Sequence, residues 1–362
     1  MMIVIQRFIK STAAVAFFSI FLLGCSTESI DEPVEKQGKK MNWKMATSWS
    51  GGDMITEIGP KAFAKKIDFL TNGRIKVQTF PAGTLGKAFK VSGTVKNGVA
   101  EAGHTWMGYD WGRDKTTVLF GGFSGTMDAE KIIHWLYEGG GLELWQEYRL
   151  KEWGLISFPC MLMPSEVFLH SRTPVRTLDD LKGLKVRTSG AWLDIVNRLG
   201  ASAVTMPGAE VYTSLERGTI DATEWGSLSV NVPMGLHKIA KYVVVPGIHQ
   251  PTAIGELIIN PEIWTQLSDH DKELVSLAAK MVTLEFWTKV GHRDAEALSE
   301  YKNNEIIVLS DEVQAEARKV SMKWADEQAV NNEWFKKIWE HQRNYELLWK
   351  NSSDYRVSTT YE

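Results

Sequence analysis

An internal repeat constrains the fold of this chain more than any other sequence feature. The segment VSGTVKNGVAEAGH, residues 91–104, aligns without gaps with VYTSLERGTIDATE, residues 211–224, at a constant offset of 120. Each copy reads as a helix that ends at a glycine, Gly98 or Gly218, followed by a short strand. The repeat predicts two related helix-to-strand units. Chance similarity is the alternative, because a helix, a glycine and a strand often follow one another.

Strands and helices alternate along most of the chain. WKMATSW, residues 43–49, reads as a strand and leads through glycines into a helix that includes Ile55 and Leu70; RIKVQTF then alternates apolar and polar residues as a strand does. This order is typical of an α/β fold, in which ligands bind at the carboxyl ends of the strands. Two related lobes would therefore send residues 104–111 and 224–231 towards a shared cleft.

Composition and charge limit the classes of function. The chain has 362 residues, of which 44% are hydrophobic and 23% are charged, so it is long and apolar enough for two domains with cores. Its formal net charge of -3 and the absence of a basic run argue against a nucleic-acid partner. After Cys25 the only cysteine is Cys160, which lies among Phe158, Met161 and Met163 and is expected to be a buried, unreactive thiol.

The first 25 residues read as a lipoprotein signal peptide. Two basic residues precede an apolar run over residues 12–23, and the segment ends in LLGC at Cys25. This ending resembles a bacterial lipobox, which implies cleavage before Cys25 and lipidation of its thiol; an ordinary signal peptide is the alternative. With residues 26–41 as a polar linker, we expect a body anchored by lipid in the periplasm or cell envelope.

The C-terminal region, residues 310–362, is predicted to be helical. Its sequence is polar and helix-forming, but tryptophans recur through it, among them Trp324, Trp334, Trp339 and Trp349. These rings need an apolar surface to cover them. That surface is either the body of the chain or another subunit, so a homodimer through these helices is one expectation.

Residue types that bind an anion are easier to find than those of an enzyme. The motifs HExxH, GxSxG and CxxC are absent, and Glu166 and Glu224 could form an acid and base pair only if the fold brings them together. Arg187 ends a predicted strand, where a guanidinium can hold a carboxylate in a bidentate fork or simply be solvated. Tyr109 and Trp111 could supply a hydroxyl and an apolar wall, or pack in the core.

Four long motifs, spread from residue 42 to about residue 310, carry a resemblance to a known family. WKMATSW, TNGRIKVQTFPAGTL, LDDLKGLKVR and GAEVYTSLERGTIDATEW resemble the substrate-binding proteins of tripartite ATP-independent periplasmic (TRAP) transporters, above all the branch that binds 2-oxo acids and related monocarboxylates. The resemblance implies an α/β, two-lobed periplasmic-binding-protein fold, class II-like, with a ligand cleft between the lobes and a C-terminal helical extension. It also implies delivery of the ligand to a membrane permease, with no reaction catalysed.

The resemblance also implies domain boundaries and roles for particular residues. Lobe I is expected to comprise residues 42–165 and 251–309, and lobe II residues 166–250. The family's carboxylate-clamping arginine falls on Arg187, and its acidic metal ligand falls on Glu224, with the backbone of Trp225 next to it. Tyr109 lies near a ligand-facing tyrosine of the family, and we count Trp111 with it as substrate-binding.

Two departures from the family pattern bear on the metal ion. Glu166 stands where the branch usually has glutamine, and Gln250 stands where it often has glutamate, which suggests a compensating exchange at one site. Glu166, Glu224, Gln250 and the Trp225 carbonyl offer hard oxygen ligands, which suit sodium or calcium and not zinc. Two carboxylates favour Ca²⁺ over Na⁺, with the ion bridging them to the substrate. The alternatives are a receptor for a sugar acid or polyol and a two-carboxylate enzyme on the same fold.

Overall fold

The computed structural model describes residues 39–352 and residue 355. The signal peptide, the lipidation site at Cys25 and nearly all of the linker lie outside the described residues and stay predictions. Among the described helices, none combines the length and the apolar character needed to cross a membrane.

Two β-sheets organise the described chain. The first has the order β2-β1-β3-β10-β4 and consists of β1 (Met41–Thr47), β2 (Ile75–Phe80), β3 (Ala102–Trp106), β4 (Ile156–Met163) and β10 (Ala253–Ile259). The second has the order β11-β9-β5-β8-β6-β7 and consists of β5 (Leu169–Ser171), β6 (Lys185–Arg187), β7 (Ser202–Val204), β8 (Ala222–Thr223), β9 (Tyr242–Val245) and β11 (Glu305–Val308).

Helices surround both sheets. They are α1 (Met54–Ile58), α2 (Pro60–Leu70), α3 (Val91–Lys96), α4 (Thr117–Gly121), α5 (Ala129–Glu138), α6 (Gly141–Tyr148), α7 (Ala191–Arg198), α8 (Gly208–Glu216), α9 (Leu228–Asn231), α10 (Leu236–Ile239), α11 (Pro261–Trp264), α12 (Asp269–Ala297), α13 (Asp311–Ala329) and α14 (Glu333–Asn351). The single helix predicted through Ile55 and Leu70 is two helices, because Pro60 lacks the N–H that would continue α1 and instead begins α2.

The two copies of the internal repeat occupy equivalent places in the two sheets. Gly98 and Gly218 both adopt the left-handed conformation, with φ of 71° and 72°. The carboxylates of Glu101 and Asp221 each accept a hydrogen bond from a lysine backbone N–H on the neighbouring strand, at 2.7 and 3.0 Å. β3 and β8 each pair parallel with one neighbour and antiparallel with the other. The predicted pair of helix-to-strand units is therefore present.

The chain passes between the sheets three times. It leaves the first sheet after β4, returns to it from β9 to β10, and crosses again through the 29-residue helix α12, which is about 44 Å long. The strand Glu305–Val308 then pairs with β9 in the second sheet. The expected boundary at residue 309 had placed this strand in lobe I; its pairing and the burial of Ile307 and Leu309 place it with the second sheet.

The C-terminal helices α13 and α14 pack on the body of the same chain. Trp324, Phe335 and Trp339 are buried in one core with Phe123. Their aromatic rings therefore have the covering surface that the sequence required. A homodimer stays a prediction. Cys160 is fully buried, as expected, and burial raises the pKa of its thiol.

Candidate functional site

A buried cavity of about 40 Å³ lies where segments from both sheets meet. Its polar lining includes Glu166, Arg187, Glu224, His249 and Gln250. On the same measure of volume one water molecule needs about 10–15 Å³, so the cavity has room for only a small ligand. It lies at the carboxyl ends of β6 and β8, the edge at which α/β proteins bind ligands.

Arg187 is locked in place at the end of β6. Its side chain is 2% exposed; Nε and Nη2 donate hydrogen bonds to the Met206 carbonyl at 3.2 and 3.1 Å. Nη1 donates to the backbone carbonyl and to Oε1 of Glu224, at 3.0 and 3.1 Å. The guanidinium carbon lies 5.0 Å from the centre of the Trp225 ring. Arg187 is thus a buried cation on the cavity wall and not a solvated residue at a strand end.

Trp225 holds its position because a glycine faces it. A Cβ on Gly208, at the start of α8, would lie 2.2 Å from the indole, so only glycine lets the ring lie against that helix. The ring lines the cavity beside Arg187. Its placement next to Glu224 agrees with the sequence prediction that both residues face one site.

Glu166, Glu224 and His249 form a cluster of side chains suited to holding a cation. One ligand atom from each lies within 4.8 Å of the others, and all three residues are buried. Oε2 of Glu166 is 3.1 Å from Nε2 of His249, and Oε2 of Glu224 is 3.9 Å from the same nitrogen. The fold therefore brings together the two carboxylates whose meeting the sequence left open. They come from separate segments, one after β4 and one after β8.

The electrostatics of this cluster show a deficit of positive charge. Burial raises the pKa of Glu166 to about 8, although nearby Arg187 lowers it, and burial lowers the pKa of His249 to about 4. Nδ1 of His249 is buried without a hydrogen-bond partner. Two carboxylates thus share one guanidinium, and a bound cation would offset the cost of keeping both ionised. The residues present fit a metal ion.

His249 was missed, and Gln250 has a different environment from the one predicted. The Gln250 side-chain nitrogen donates to the carbonyls of Gly121 and Thr252, at 3.0 and 2.7 Å, so backbone groups fix this side chain. The backbone carbonyl of Gln250 accepts a hydrogen bond from the backbone N–H of Glu166 at 3.2 Å. The two positions that depart from the family pattern therefore meet through their backbones, while their side chains have different partners, and the cluster of possible metal-binding side chains contains His249 and not Gln250.

Tyr109 lines the cavity and Trp111 does not. The ring of Tyr109 lies 5.2 Å from that of Trp106, and burial raises the pKa of its hydroxyl well above the usual range. Trp111 packs against the main core instead, with Lys115 Nζ 5.7 Å from its ring centre. The reason is the single turn of 3₁₀ helix over Met107–Asp110, which turns residues two apart to different sides. The lining of this cavity gives no support to the predicted contact of Trp111 with the substrate, which stays a prediction.

Comparisons with known proteins agree with this architecture. Residues 45–332 match the family model DctP, bacterial extracellular solute-binding protein, family 7. The chain is 30% identical over 342 residues to the monocarboxylate 2-oxoacid-binding periplasmic protein of Nostoc sp., covering 92% of each chain.

Two solved TRAP periplasmic solute-binding proteins are similar in structure, each with a TM-score of 0.82. The one from Pseudoalteromonas atlantica, with bound sodium and pyruvate, is 29% identical and covers 88% of this chain and 97% of that chain. The one from Colwellia psychrerythraea, with bound calcium and pyruvate, is 27% identical and covers 87% of this chain and 98% of that chain.

Proposed function

The chain belongs to family 7 of the bacterial extracellular solute-binding proteins, the receptors of TRAP transporters, and on that premise we propose that its cavity binds a 2-oxo acid, lactate or a similar small monocarboxylate. The observation that carries this proposal is one small cavity that holds a buried guanidinium beside two buried carboxylates. The names of the relatives, which bind 2-oxo acids or contain pyruvate, support the same ligand class.

Arg187 is the proposed partner of the ligand's carboxylate. Its guanidinium is buried, and its bonds to Met206 and Glu224 fix its orientation before the ligand arrives. A preorganised guanidinium loses little entropy on binding, and its buried positive charge attracts the carboxylate of a ligand in the cavity. Tyr109 and Trp225, which line the same cavity, are proposed to contact the ligand beside it.

A cation is the proposed second partner of the ligand. Glu166, Glu224 and the Trp225 carbonyl offer the hard oxygen ligands that Ca²⁺ and Na⁺ prefer, with His249 adjacent. The bound ion would supply positive charge for the ligand's carboxylate and 2-oxygen. Similar structures contain sodium in one case and calcium in another. We favour calcium, because two carboxylates balance a divalent ion.

Two alternative functions have less support from the cavity. A sugar acid or polyol needs partners for several hydroxyl groups, but the wall formed by Ile55, Met161, Met163 and Ala253 is apolar. Glycoside hydrolysis by two carboxylates typically requires a separation of about 5–9.5 Å with space for water or a covalent intermediate, whereas ligand oxygens of Glu166 and Glu224 lie within 4.8 Å of each other and of His249. We propose that the protein catalyses no reaction and delivers its ligand, outside the cytoplasmic membrane, to TRAP permease subunits.

Isothermal titration of metal-stripped protein tests this proposal. Pyruvate is titrated into the protein without added cation, with CaCl₂ and with NaCl, and then lactate and a sugar acid are titrated under the best condition. We expect calcium to tighten pyruvate binding at least tenfold and sodium to tighten it less. The Glu166→Gln variant should lose most of the calcium effect, while Glu305→Gln, on an exposed edge strand, should keep it.

Three results would contradict the proposal. Pyruvate and lactate that fail to bind under every condition would remove the ligand class. Binding that neither calcium nor sodium changes would remove the cation, and turnover of any bound acid would favour the enzyme.

A further inference from the structure

We propose that this site selects short, unbranched monocarboxylates, and that Met161 and Met163 set the limit on the length of the acid's side group. The inference rests on the function proposed above and names the part of the ligand class that the cavity admits. It depends on how polar and apolar groups are divided between the two sides of the cavity.

The charged groups of the cavity come from the segments around the second sheet, and most of its aliphatic wall comes from the first. Arg187, Glu224 and Glu166 lie on the polar side. Ile55, Met161, Met163 and Ala253, on the apolar side, belong to one hydrophobic cluster and are nearly inaccessible to solvent. A ligand whose carboxylate and 2-oxygen face the polar side must therefore direct its remaining carbon atoms at this wall.

The depth of the wall is set by β4 and its neighbour β10. Met161 and Met163 are two residues apart on β4, so both side chains point to the same face of the sheet. Their cross-strand neighbours are the small residues Gly255 and Ala253. A Cβ on Gly255 would lie 3.0 Å from both Cβ and Cε of Met161, so this methionine lies directly over the glycine. The two thioether side chains thus fill the space beside the small residues.

Met163 also meets the opposite side of the cavity. A Cβ on Gly226, the residue after Trp225, would lie 3.4 Å from the Met163 sulfur. This methionine is therefore confined between β10 and the segment that follows β8. Because it is packed on both sides, a longer ligand must displace either this side chain from its contacts or one of those backbones.

The volume of the cavity and the charges of its lining residues together determine which acids are excluded as ligands. A volume of about 40 Å³ corresponds to roughly three or four water molecules, which is room for a methyl or ethyl side group but not for a branched chain. Among the lining residues in the described part of the chain, Arg187 is the only arginine or lysine. A second carboxylate on the ligand would therefore lie unpaired against apolar side chains, which is costly.

Binding of a graded series of acids tests the proposal. Titration with calcium present compares pyruvate, 2-oxobutyrate, 2-oxoisocaproate and 2-oxoglutarate. We expect the wild type to bind 2-oxoisocaproate and 2-oxoglutarate at least about tenfold more weakly than pyruvate, since one methylene group in a pocket changes affinity by about 10–200-fold. Met161→Ala and Met163→Ala should each reduce the ratio of the 2-oxoisocaproate Kd to the pyruvate Kd by at least about tenfold.

Two further variants sharpen the test. Met127→Ala removes a buried methionine from a different core and should leave the ratio unchanged. Gly255→Ala should push Met161 into the cavity and weaken 2-oxobutyrate more than pyruvate. Circular dichroism checks that each variant is folded.

The outcomes separate this inference from the proposed function. If folded Met161→Ala and Met163→Ala both keep the wild-type ratio, or if the wild type binds 2-oxoisocaproate as tightly as pyruvate, the selection by these methionines is refuted while monocarboxylate binding stands. If the wild type binds none of the four acids, both proposals fail.

Discussion

Replacing Glu166 with glutamine should flatten the pH dependence of stability in the metal-free protein between pH 6.5 and 8. In the folded protein the pKa of Glu166 is about 8, against an ordinary value of 4.5. In this pH range the unfolded chain has already released the proton that the folded chain keeps. Each increase in pH therefore favours unfolding, and the stability conferred below the unfolded pKa is lost as the pH rises towards 8.

The range from pH 6.5 to 8 is chosen to separate the titration of Glu166 from that of its neighbour His249. The pKa of His249 is lowered from 6.5 to about 4, so its contribution to stability grows as the pH rises from about 4 and levels off about one pH unit above 6.5. In the folded protein only Glu166 of this pair changes protonation between pH 6.5 and 8, and the remaining titration of His249 in the unfolded chain is common to the two proteins. Since one pKa unit corresponds to about 1.36 kcal/mol, and the slope falls near pH 8, the wild type should lose roughly 1–2 kcal/mol of stability between pH 6.5 and 8 through Glu166.

Urea unfolding of protein treated with a chelator measures this difference. Tryptophan fluorescence gives the free energy of unfolding of both proteins at pH 6.5, 7, 7.5 and 8, and subtraction cancels the titration of all groups that the two share. Parallel curves for the two proteins would refute the reasoning. Saturating calcium provides a second measurement, because an ion bound to ionised Glu166 should stabilise the wild type more at pH 8 than at pH 6.5.

Three further variants have expected outcomes. Arg187→Ala should abolish pyruvate binding in titrations, and it should also lower the thermal midpoint, because Glu224 and the Met206 carbonyl lose their donors at about 1–3 kcal/mol per buried group. Arg149→Met should cost about 3–5 kcal/mol in urea unfolding, since it leaves the fully buried Glu256 unpaired; a cost below 1 kcal/mol would show that Glu256 is neutral in the native protein. Arg198→Ala breaks a 2.6 Å pair with Glu327 that is 44% exposed on each side, so it should change stability by less than about 1 kcal/mol; a larger loss would mean that the pair holds α7 to α13.

The parts of the fold that could be predicted are those encoded locally. The repeated unit of helix, glycine and strand could be predicted because Gly98 and Gly218 occupy a left-handed conformation that few other residues adopt. The strand Glu305–Val308, which the predicted boundary assigned to lobe I, pairs with β9 of the second sheet, and this pairing joins residues some 60 positions apart. A four-residue edge strand has no periodicity that reveals its partner.

The candidate site shows the same limit at the level of single side chains. Tyr109 and Trp111 are equivalent in a linear reading, and only the 3₁₀ turn between Trp106 and Trp111 decides which of them faces the cavity. Arg187 could be placed by its motif, yet its burial depends on the Met206 carbonyl and on Trp225, which lie in other segments. The residue types therefore indicated which chemical groups could bind a ligand. The exposure of each side chain and the direction in which it points could be learned only from the fold.

His249 is the residue for which this limit matters most. It stands next to Gln250, and oxygen chemistry alone favoured the amide as a metal ligand. The Gln250 side-chain nitrogen donates to two backbone carbonyls, whereas Nε2 of His249 lies 3.1 Å from Glu166 Oε2 and 3.9 Å from Glu224 Oε2. Because burial keeps this imidazole neutral, it cannot balance the two carboxylates. The charge that the cluster lacks must then come from a bound cation or from a proton on Glu166, so loss of that proton and binding of the cation should be coupled.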